Sequence, residues 1–572
     1  MGDATFMIAG EAGQGVQTIG FILSRVFARS GYHVYSDQDY ESRVRGGHNF
    51  FRIRIKDDEV GAIRESLDLL LALNEESVNL HRGELVEEGV VVFDRGKAGE
   101  LEGRKIFGVP LGELAEKEAG NKIMANSVAL GACLGLVGFG LNAAEALIRE
   151  AFGGKGVEAN IKALHAGYKF TQKNFPEHFN LPLGRNGQNG KLLLNGHEAL
   201  SLGAIAAGCK FMAAYPMTPA SSIMEYLSSK ARDMDLVVIQ PEDEISAVNM
   251  AIGAGFAGVR SMTATSGSGF CLMVEGLGLA GLTETPIVIV DAQRPGPAVG
   301  LPTRTEQGDL QFVLYAHHGD FPRAVMAPAN AEEAFYMTVK AFNLAEKYQI
   351  PVLILTDHLL ASSFQTVPDF DFRKVRIDRG ELYDPERHGK PAHYMRHQLT
   401  DSGISPRAFP GLSEALVVTD SDEHGEDGHL MEDAEMRTRQ VDKRLRKLER
   451  LKKEIAPPLT YGAEKPEITL ISWGSTYGAV REAVDILNAE GWKINMLQIG
   501  DLWPFPVDSV SRALNQAGKT YVVEGNASGQ LARLIRTETG IAVDGKILKY
   551  DGRPFTPLWI CEKVRKGEVS PW

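Results

Sequence analysis

Short apolar runs that end in a glycine- or proline-rich turn and open into helical periodicity recur along this sequence. Residues 4–9 lead into Gly10, Gly13 and Gly15, with a helical pattern through Arg29. Residues 236–240 lead into Pro241, Glu242, Asp243 and Glu244, and residues 260–265 into Ser266, Gly267, Ser268 and Gly269. A strand that feeds a helix through a tight turn packs as a βα unit, and repeated units build doubly wound, mostly parallel sheets. The chain of 572 residues holds 61 glycines, above the usual level of roughly 7%, which suits many such turns. At roughly 100–200 residues per domain, the length accommodates three or four domains.

Charge and cysteine usage exclude several classes. The formal net charge of −13 disfavours nucleic acid as a partner, because a negative surface repels phosphates. The four cysteines (Cys133, Cys209, Cys271, Cys561) are scattered, which excludes a disulfide scaffold, a zinc ribbon or an iron–sulfur cluster held by this chain alone. The start carries no basic leader, and Phe6 stands where myristoylation needs Ser or Thr. Residues 128–141 are apolar but fall short of the roughly 20 that span a bilayer. A buried helix is expected there, with no membrane partner and a cytoplasmic location.

Four blocks follow. Residues 1–185 read as one α/β domain, closed by a Pro-, Gly- and Asn-rich stretch. Residues 193–366 read as a second, with strands over 211–215, 236–240, 260–265, 287–291 and 352–356. Residues 367–460 lose the strand signal. An acidic run leads there into a charged helix with Val441, Leu445, Leu448 and Leu451 on one apolar stripe, the pattern of a solvated connector or arm. Residues 461–572 return to α/β.

Several turns admit both a chemical and a structural reading. Gly13 and Gly15 at a helix start offer an anion site or a tight turn, and Arg43 and Arg45 could add cations. Thr218, before Pro219, suits a helix N-cap, or a hydroxyl shown to a ligand at a strand's carboxyl end. Glu242 and Asp243 are accounted for by the helix dipole. Glu244 precedes Ile245, Val248, Ala251 and Ile252 and should lie nearer the buried side, where a carboxylate needs a partner. Ser266 and Gly267 form a second backbone-amide cradle or a plain turn. Arg294 and Arg304, on one loop with Glu306 and Asp309, suit carboxylate recognition or internal ion pairing. The acidic run at 420–425 fails as a calcium loop, since Met431 occupies the twelfth position.

Taken together, these motifs resemble the 2-oxoacid:ferredoxin oxidoreductase family. Tyr215–Pro219, Glu242–Glu244, Thr265–Gly269 and Gln293–Pro297 resemble its thiamine diphosphate pyrimidine domain, a transketolase-like fold. Gly10–Gly15 and Arg43–Gly47 resemble its gamma module, and Ser472–Thr476 with Val523–Asn526 its transketolase C-terminal-like domain. The resemblance implies an alpha subunit with gamma fused in front, nearest the 2-oxoglutarate branch. That branch oxidatively decarboxylates its substrate to succinyl-CoA and CO2 and reduces ferredoxin.

No Gly-Asp-Gly motif is present. The resemblance therefore places the diphosphate, Mg²⁺ and a [4Fe–4S] cluster on a separate beta subunit, in an α2β2 complex through which ferredoxin is reached. It implies that Glu244 holds the pyrimidine ring nitrogen and Thr218 bonds the 2-oxoacid group. Arg294 would pair with the C1 carboxylate and Arg304 with the far carboxylate. Ser266 and Gly267 would line the cofactor, and Gly13 and Gly15 would contact coenzyme A or only dock the module. Pyruvate, branched-chain or aryl 2-oxoacids are the alternative substrates. A non-catalytic nucleotide- or anion-binding subunit is the alternative class.

Overall fold

The computed structural model describes residues 2–41, 46–94, 105–152, 154, 156–175, 179 and 190–571. Arg43 and Arg45, and most of the expected linker, lie outside the described residues. The chain forms two units. The first comprises Met1–Asn195, Ser362–Asp369 and Thr556–Leu558, and the second Gly196–Ala361, Phe370–Phe555 and Trp559–Trp572.

The first unit is built on an eight-stranded sheet. Asp3–Glu11 lies parallel to Leu67–Ala72, which continues parallel through Leu85–Asp94 to Ile106–Val109. On its other side Asp3–Glu11 pairs antiparallel with His48–Lys56, followed by His33–Asp39, Gln365–Val367 and Leu192–Leu194. The sheet is thus mixed, with an antiparallel half beyond the parallel expectation. His33–Asp39 and His48–Lys56 pair directly with each other, and no helix separates them among the described residues. The apolar stretch forms the buried helix Ala125–Leu136. It packs on Val157–Asn174 so closely that a Cβ at Gly131 would collide with the Leu164 carbonyl, and one at Gly167 with that of Val128. No described helix is long and apolar enough to cross a membrane.

The second unit carries two sheets. In the seven-stranded sheet the order is Asp501–Trp503, Ala324–Met326, Pro351–Asp357, Ile287–Gln293, Ser261–Thr265, Phe211–Ala213, Val237–Ile239. All neighbours are parallel except the first pair. Ile287 and Ile289 point into a core with Val248, Phe270, Leu277 and Val313, all fully buried. The five-stranded sheet centres on Ile468–Trp473, flanked by Ile494–Ile499 and Lys519–Glu524, all parallel. Gln307 joins the two layers. It accepts from the Gly525 amide through Oε1 (2.8 Å), donates to the Trp473 carbonyl through Nε2 (2.8 Å), and pairs backbone to backbone with Gly525.

The connector departs from its expectation. Helix Ala434–Leu451 buries Gln440, Lys443, Arg444, Lys447 and Leu451, while Val441, Leu445 and Leu448 are only half-buried. Its inner face is polar because its partner is charged. Glu284, fully buried, receives Lys443 at 2.6 Å, Lys447 at 2.5 Å and His397 Nδ1 at 3.0 Å. Burial pulls Lys447 down to about 7 against the attraction of Glu284. A second buried carboxylate, Glu346, binds Arg260 at 2.7 Å and Arg407 at 2.5 Å. The acidic run is likewise partly folded in. Glu423 takes a two-pronged pair from Arg444, and His424 is buried.

Candidate functional site

Parallel pairing puts the carboxyl ends of four neighbouring strands on one edge of the seven-stranded sheet, where open α/β sheets bind ligands. The turn after Val237–Ile239 holds Glu244, and that after Phe211–Ala213 holds Thr218. The turn after Ser261–Thr265 holds Ser266 and Gly267, and Arg294 directly follows Ile287–Gln293.

Glu244 is the first residue of the helix Glu244–Phe256. The cap is Asp243, whose Oδ1 accepts from the Ser246 amide at 2.8 Å, and Glu242 is exposed. Glu244 is 4% exposed, and its Oε1 has no hydrogen-bond partner among the described residues. A buried carboxylate oxygen without a donor costs free energy, so it is held ready for a donor from outside the chain. Its neighbour across the site is the start of the helix Gly267–Leu282. A Cβ at Gly269 would lie 2.6 Å from Glu244 Oε1 and collide with Thr265 Oγ1, so only glycine allows this approach. Ser266 occupies the N-cap position but its hydroxyl caps nothing; it is buried with no hydrogen-bond partner among the described residues.

Thr218 is not a cap. The following helix is Ser221–Lys230, with Ala220 at its N-cap. The Thr218 carbonyl instead accepts from Arg294 Nη1 at 2.7 Å. Beneath this turn His197 is fully buried, bonded to Ser222 Oγ (2.8 Å) and Thr356 Oγ1 (2.9 Å), and burial pulls it down to about 3. A neutral imidazole thus fixes the segment that carries Thr218. Arg294 is buried, and burial pulls its guanidinium below its usual value, with the charge of Asp309 working the other way. It makes no ion pair with a carboxylate among the described residues, the condition for receiving one from a ligand.

Asp309 closes the contact chain. A Cβ at Gly267 would lie 2.5 Å from Asp309 Oδ2. Asp291, fully buried, is raised well above the carboxylate range by burial and by Asp309 beside it. Asp309 is pushed up to about 6 by burial, while Asp291 and Arg294 draw it down. The sequence reading offered Asp309 only as an ion-pair partner for Arg304 and passed over Asp291 and His197. An aspartate inside an apolar strand, as in Ile287–Gln293, was the available signal for Asp291.

The structure thus brings Glu244, Ser266, Gly267, Arg294 and Thr218 together. Arg304 lies farther along the loop, half-buried, donating to the Thr303 carbonyl at 3.2 Å and beside His358, which burial and Arg304 pull down to about 4. Gly13 and Gly15 belong to the first unit. There Gly15 is the left-handed N-cap of the helix Val16–Arg29, and Gln14 Oε1 accepts from the Glu11 amide at 2.8 Å. A Cβ at Gly15 would collide with Asn126, so glycine is required there for packing as well as for conformation.

Residues 202–443 match the family described as pyruvate flavodoxin/ferredoxin oxidoreductase, thiamine diP-bdg. Residues 5–170 match pyruvate ferredoxin/flavodoxin oxidoreductase, and residues 466–558 match pyruvate:ferredoxin oxidoreductase core domain II. The chain is 33% identical, over 96% of its length, to the 2-oxoacid:ferredoxin oxidoreductase subunit alpha of a Sulfolobus species, of which it covers 95%. It is 34% identical, over 65% of its length, to 2-oxoglutarate synthase subunit KorA of Methanothermobacter thermautotrophicus, of which it covers 98%. Among solved structures it is similar to a 2-oxoglutarate:ferredoxin oxidoreductase from Magnetococcus marinus with 2-oxoglutarate, coenzyme A and succinyl-CoA bound. That similarity has a TM-score of 0.91 and 32% identity, and covers 99% of both chains. The orphaned Glu244 oxygen, the unpartnered Ser266 hydroxyl and the glycine-lined approach at Gly269 fit one face of thiamine diphosphate.

Proposed function

We propose that this chain, which belongs to the 2-oxoacid:ferredoxin oxidoreductase family as its alpha subunit, supplies the pyrimidine-side half of a site that converts 2-oxoglutarate, coenzyme A and oxidised ferredoxin to succinyl-CoA, CO2 and reduced ferredoxin. The observation that carries this reading is the buried, unpartnered Oε1 of Glu244 at the ligand edge of the sheet. Thiamine diphosphate supplies, when bound, the carbon nucleophile that a 2-oxoacid needs to lose CO2. The chain's own residues bind, orient and handle protons. Glu244 holds the pyrimidine ring nitrogen and its proton, general acid–base work in a dry pocket. Arg294 receives the C1 carboxylate, and Thr218, steadied by Arg294 through its carbonyl, orients the 2-oxo group. Arg304 meets the far carboxylate of a dicarboxylic acid.

A separate beta subunit holds the diphosphate, Mg²⁺ and a [4Fe–4S] cluster, in an α2β2 complex. Ile245, Met250 and Leu272 support this partner: they are exposed on the two helices that flank Glu244, an apolar surface for another chain to cover. The 1–185 block serves as the gamma-type module, where Gly13 and Gly15 face coenzyme A, and residues 461–572 as the transketolase C-terminal-like domain. The four free thiols accord with a cytoplasmic site of action. The test is coenzyme A-dependent ferredoxin reduction by the alpha–beta complex with 2-oxoglutarate, pyruvate, branched-chain and aryl 2-oxoacids. 2-Oxoglutarate is expected to have the highest kcat/KM, and Arg304→Ala to erase that preference. Equal use of pyruvate, or an unchanged preference in Arg304→Ala, contradicts the dicarboxylate assignment.

A further inference from the structure

The loop that carries Arg304 is met by a glycine far along the chain. The strand Gly545–Leu548 edges the five-stranded sheet, parallel to Lys519–Glu524, and the turn after it holds Asp551, Gly552 and Arg553. That turn is fixed locally: Asp551 pairs with Lys549, and its Oδ1 accepts from the Arg553 amide at 2.9 Å. Gly552 is buried although both its neighbours are exposed. Its carbonyl accepts from the Thr305 amide at 3.4 Å. A Cβ at Gly552 would lie 3.0 Å from Arg304 Cβ and 3.3 Å from Arg304 Cγ. The stem of the arginine thus rests on a bare Cα.

Gly552 has a φ of 77°, a conformation that Asn also adopts. The turn alone therefore does not demand glycine, whereas the contact with Arg304 does. Other restraints on the segment act on its backbone. The Arg304 amide donates to the Leu301 carbonyl at 3.1 Å, and Thr305 Oγ1 accepts from the Leu359 amide at 3.3 Å. Gln307 holds Trp473 and Gly525 beyond. These bonds fix the chain on either side of Arg304, and Gly552 bears on its side chain.

We propose that Gly552 is a positioning residue that sets the preference for a dicarboxylic 2-oxoacid, by leaving the Arg304 stem the space from which its guanidinium reaches the far carboxylate. The proposal rests on the reading that Arg304 meets that carboxylate. A side chain at 552 would push Arg304 away by a few tenths of an ångström at Cβ. A tilt there grows along the stem toward the guanidinium. Guanidinium and carboxylate pair through two parallel hydrogen bonds, a geometry that tolerates little displacement. A shift of about 1 Å costs about 100-fold, so part of that shift costs about tenfold. A monocarboxylic 2-oxoacid has no group for Arg304 to meet and loses nothing.

The test is kcat and KM for 2-oxoglutarate and for pyruvate in the alpha–beta complex, with assembly followed by native mass. The wild type is compared with Gly552→Ala, Gly552→Asn, Arg304→Ala and the double variant of Gly552→Ala with Arg304→Ala. Pyruvate is read as a competitive inhibitor where its turnover is slow. Gly552→Ala is expected to lower kcat/KM for 2-oxoglutarate by about tenfold, chiefly through KM. Pyruvate should stay within about twofold of wild type. Gly552→Asn, which keeps the left-handed turn, should show the same profile. Added to Arg304→Ala, Gly552→Ala should cost no more than about twofold further, because both act through one guanidinium. Equal losses on both substrates, an unchanged KM for 2-oxoglutarate, an Asn variant that behaves as wild type, or a full further loss in the double variant overturns the proposal. An unchanged substrate preference in Arg304→Ala instead overturns the reading beneath it. Should Gly552→Ala not assemble, Gly552→Asn decides. Failure of both beside an intact Arg304→Ala marks a glycine that the fold alone requires, and overturns the proposal.

Discussion

Gly269 and Glu244 show how a single missing side chain permits a close approach. The first turn of Gly267–Leu282 approaches the carboxylate so closely that a methyl group at 269 must displace both Glu244 Oε1 and Thr265 Oγ1. Gly269→Ala is therefore expected to cost about 1–3 kcal/mol in stability by overpacking. It should also lower turnover by about 100-fold, because a shift of about 1 Å in a reacting group costs that much. Thermal unfolding and steady-state rates on the same complex check both, and unchanged turnover would show that the carboxylate's place is uncritical. At this scale the sequence was informative where chemistry conflicted with burial. Glu244 stood out because it precedes apolar helix positions, and Asp243 then proved to be the cap. Thr218 misled, since Thr-Pro is a good helix start. Only the three-dimensional position of Arg294 shows that the Thr218 carbonyl is taken by a guanidinium. Asp291 and Asp309 lie 18 residues apart, so their pairing had no local signature.

Among the elements, the connector helix teaches most about what a pattern can hide. Of its apolar stripe Val441, Leu445, Leu448 and Leu451 only Leu451 is buried, and the rest of the buried face is Gln440, Lys443, Arg444 and Lys447. The partner carboxylates, Glu284 and Glu423, sit 159 and 21 residues away from Lys443 and Arg444, beyond the reach of any periodicity argument. A buried ion cluster is weak evidence for stability as a whole, but breaking one partner leaves uncompensated charge. Glu284→Gln is expected to destabilise by about 3–5 kcal/mol. Leu448→Ala, on the half-buried stripe, should cost about 1–2 kcal/mol, less than a fully buried leucine. Denaturant unfolding of the two variants compares them, and a larger loss for Leu448→Ala would restore the apolar-stripe reading. The strands were the most legible elements, since βα alternation is dictated by turn chemistry and apolar runs. The short strands Ala324–Met326 and Leu459–Gly462 were missed, because so few residues carry no period.

At the level of the whole molecule, the resemblance read from the sequence implied that the chain is half of something. It offered a candidate substrate-reading loop and a candidate acid–base carboxylate, but neither a Gly-Asp-Gly motif nor clustered cysteines. In the structure Glu244 Oε1 has no hydrogen-bond partner among the described residues, and Ile245, Met250 and Leu272 are exposed on the helices Glu244–Phe256 and Gly267–Leu282. What the sequence could not convey is how the loop after Ile287–Gln293 is pinned. Gln307 reaches Trp473 and Gly525, far along the chain, to lock that loop onto the five-stranded sheet. The central claim is that Glu244 gives its charge to a coenzyme held by another polypeptide. The most direct test is the rate of coenzyme A-dependent 2-oxoglutarate oxidation by the alpha–beta complex carrying Glu244→Gln, with assembly followed by native mass. A fall of about 10²–10⁴-fold with intact assembly is expected from losing a positioned acid–base group. Turnover within a few-fold of wild type would contradict the account.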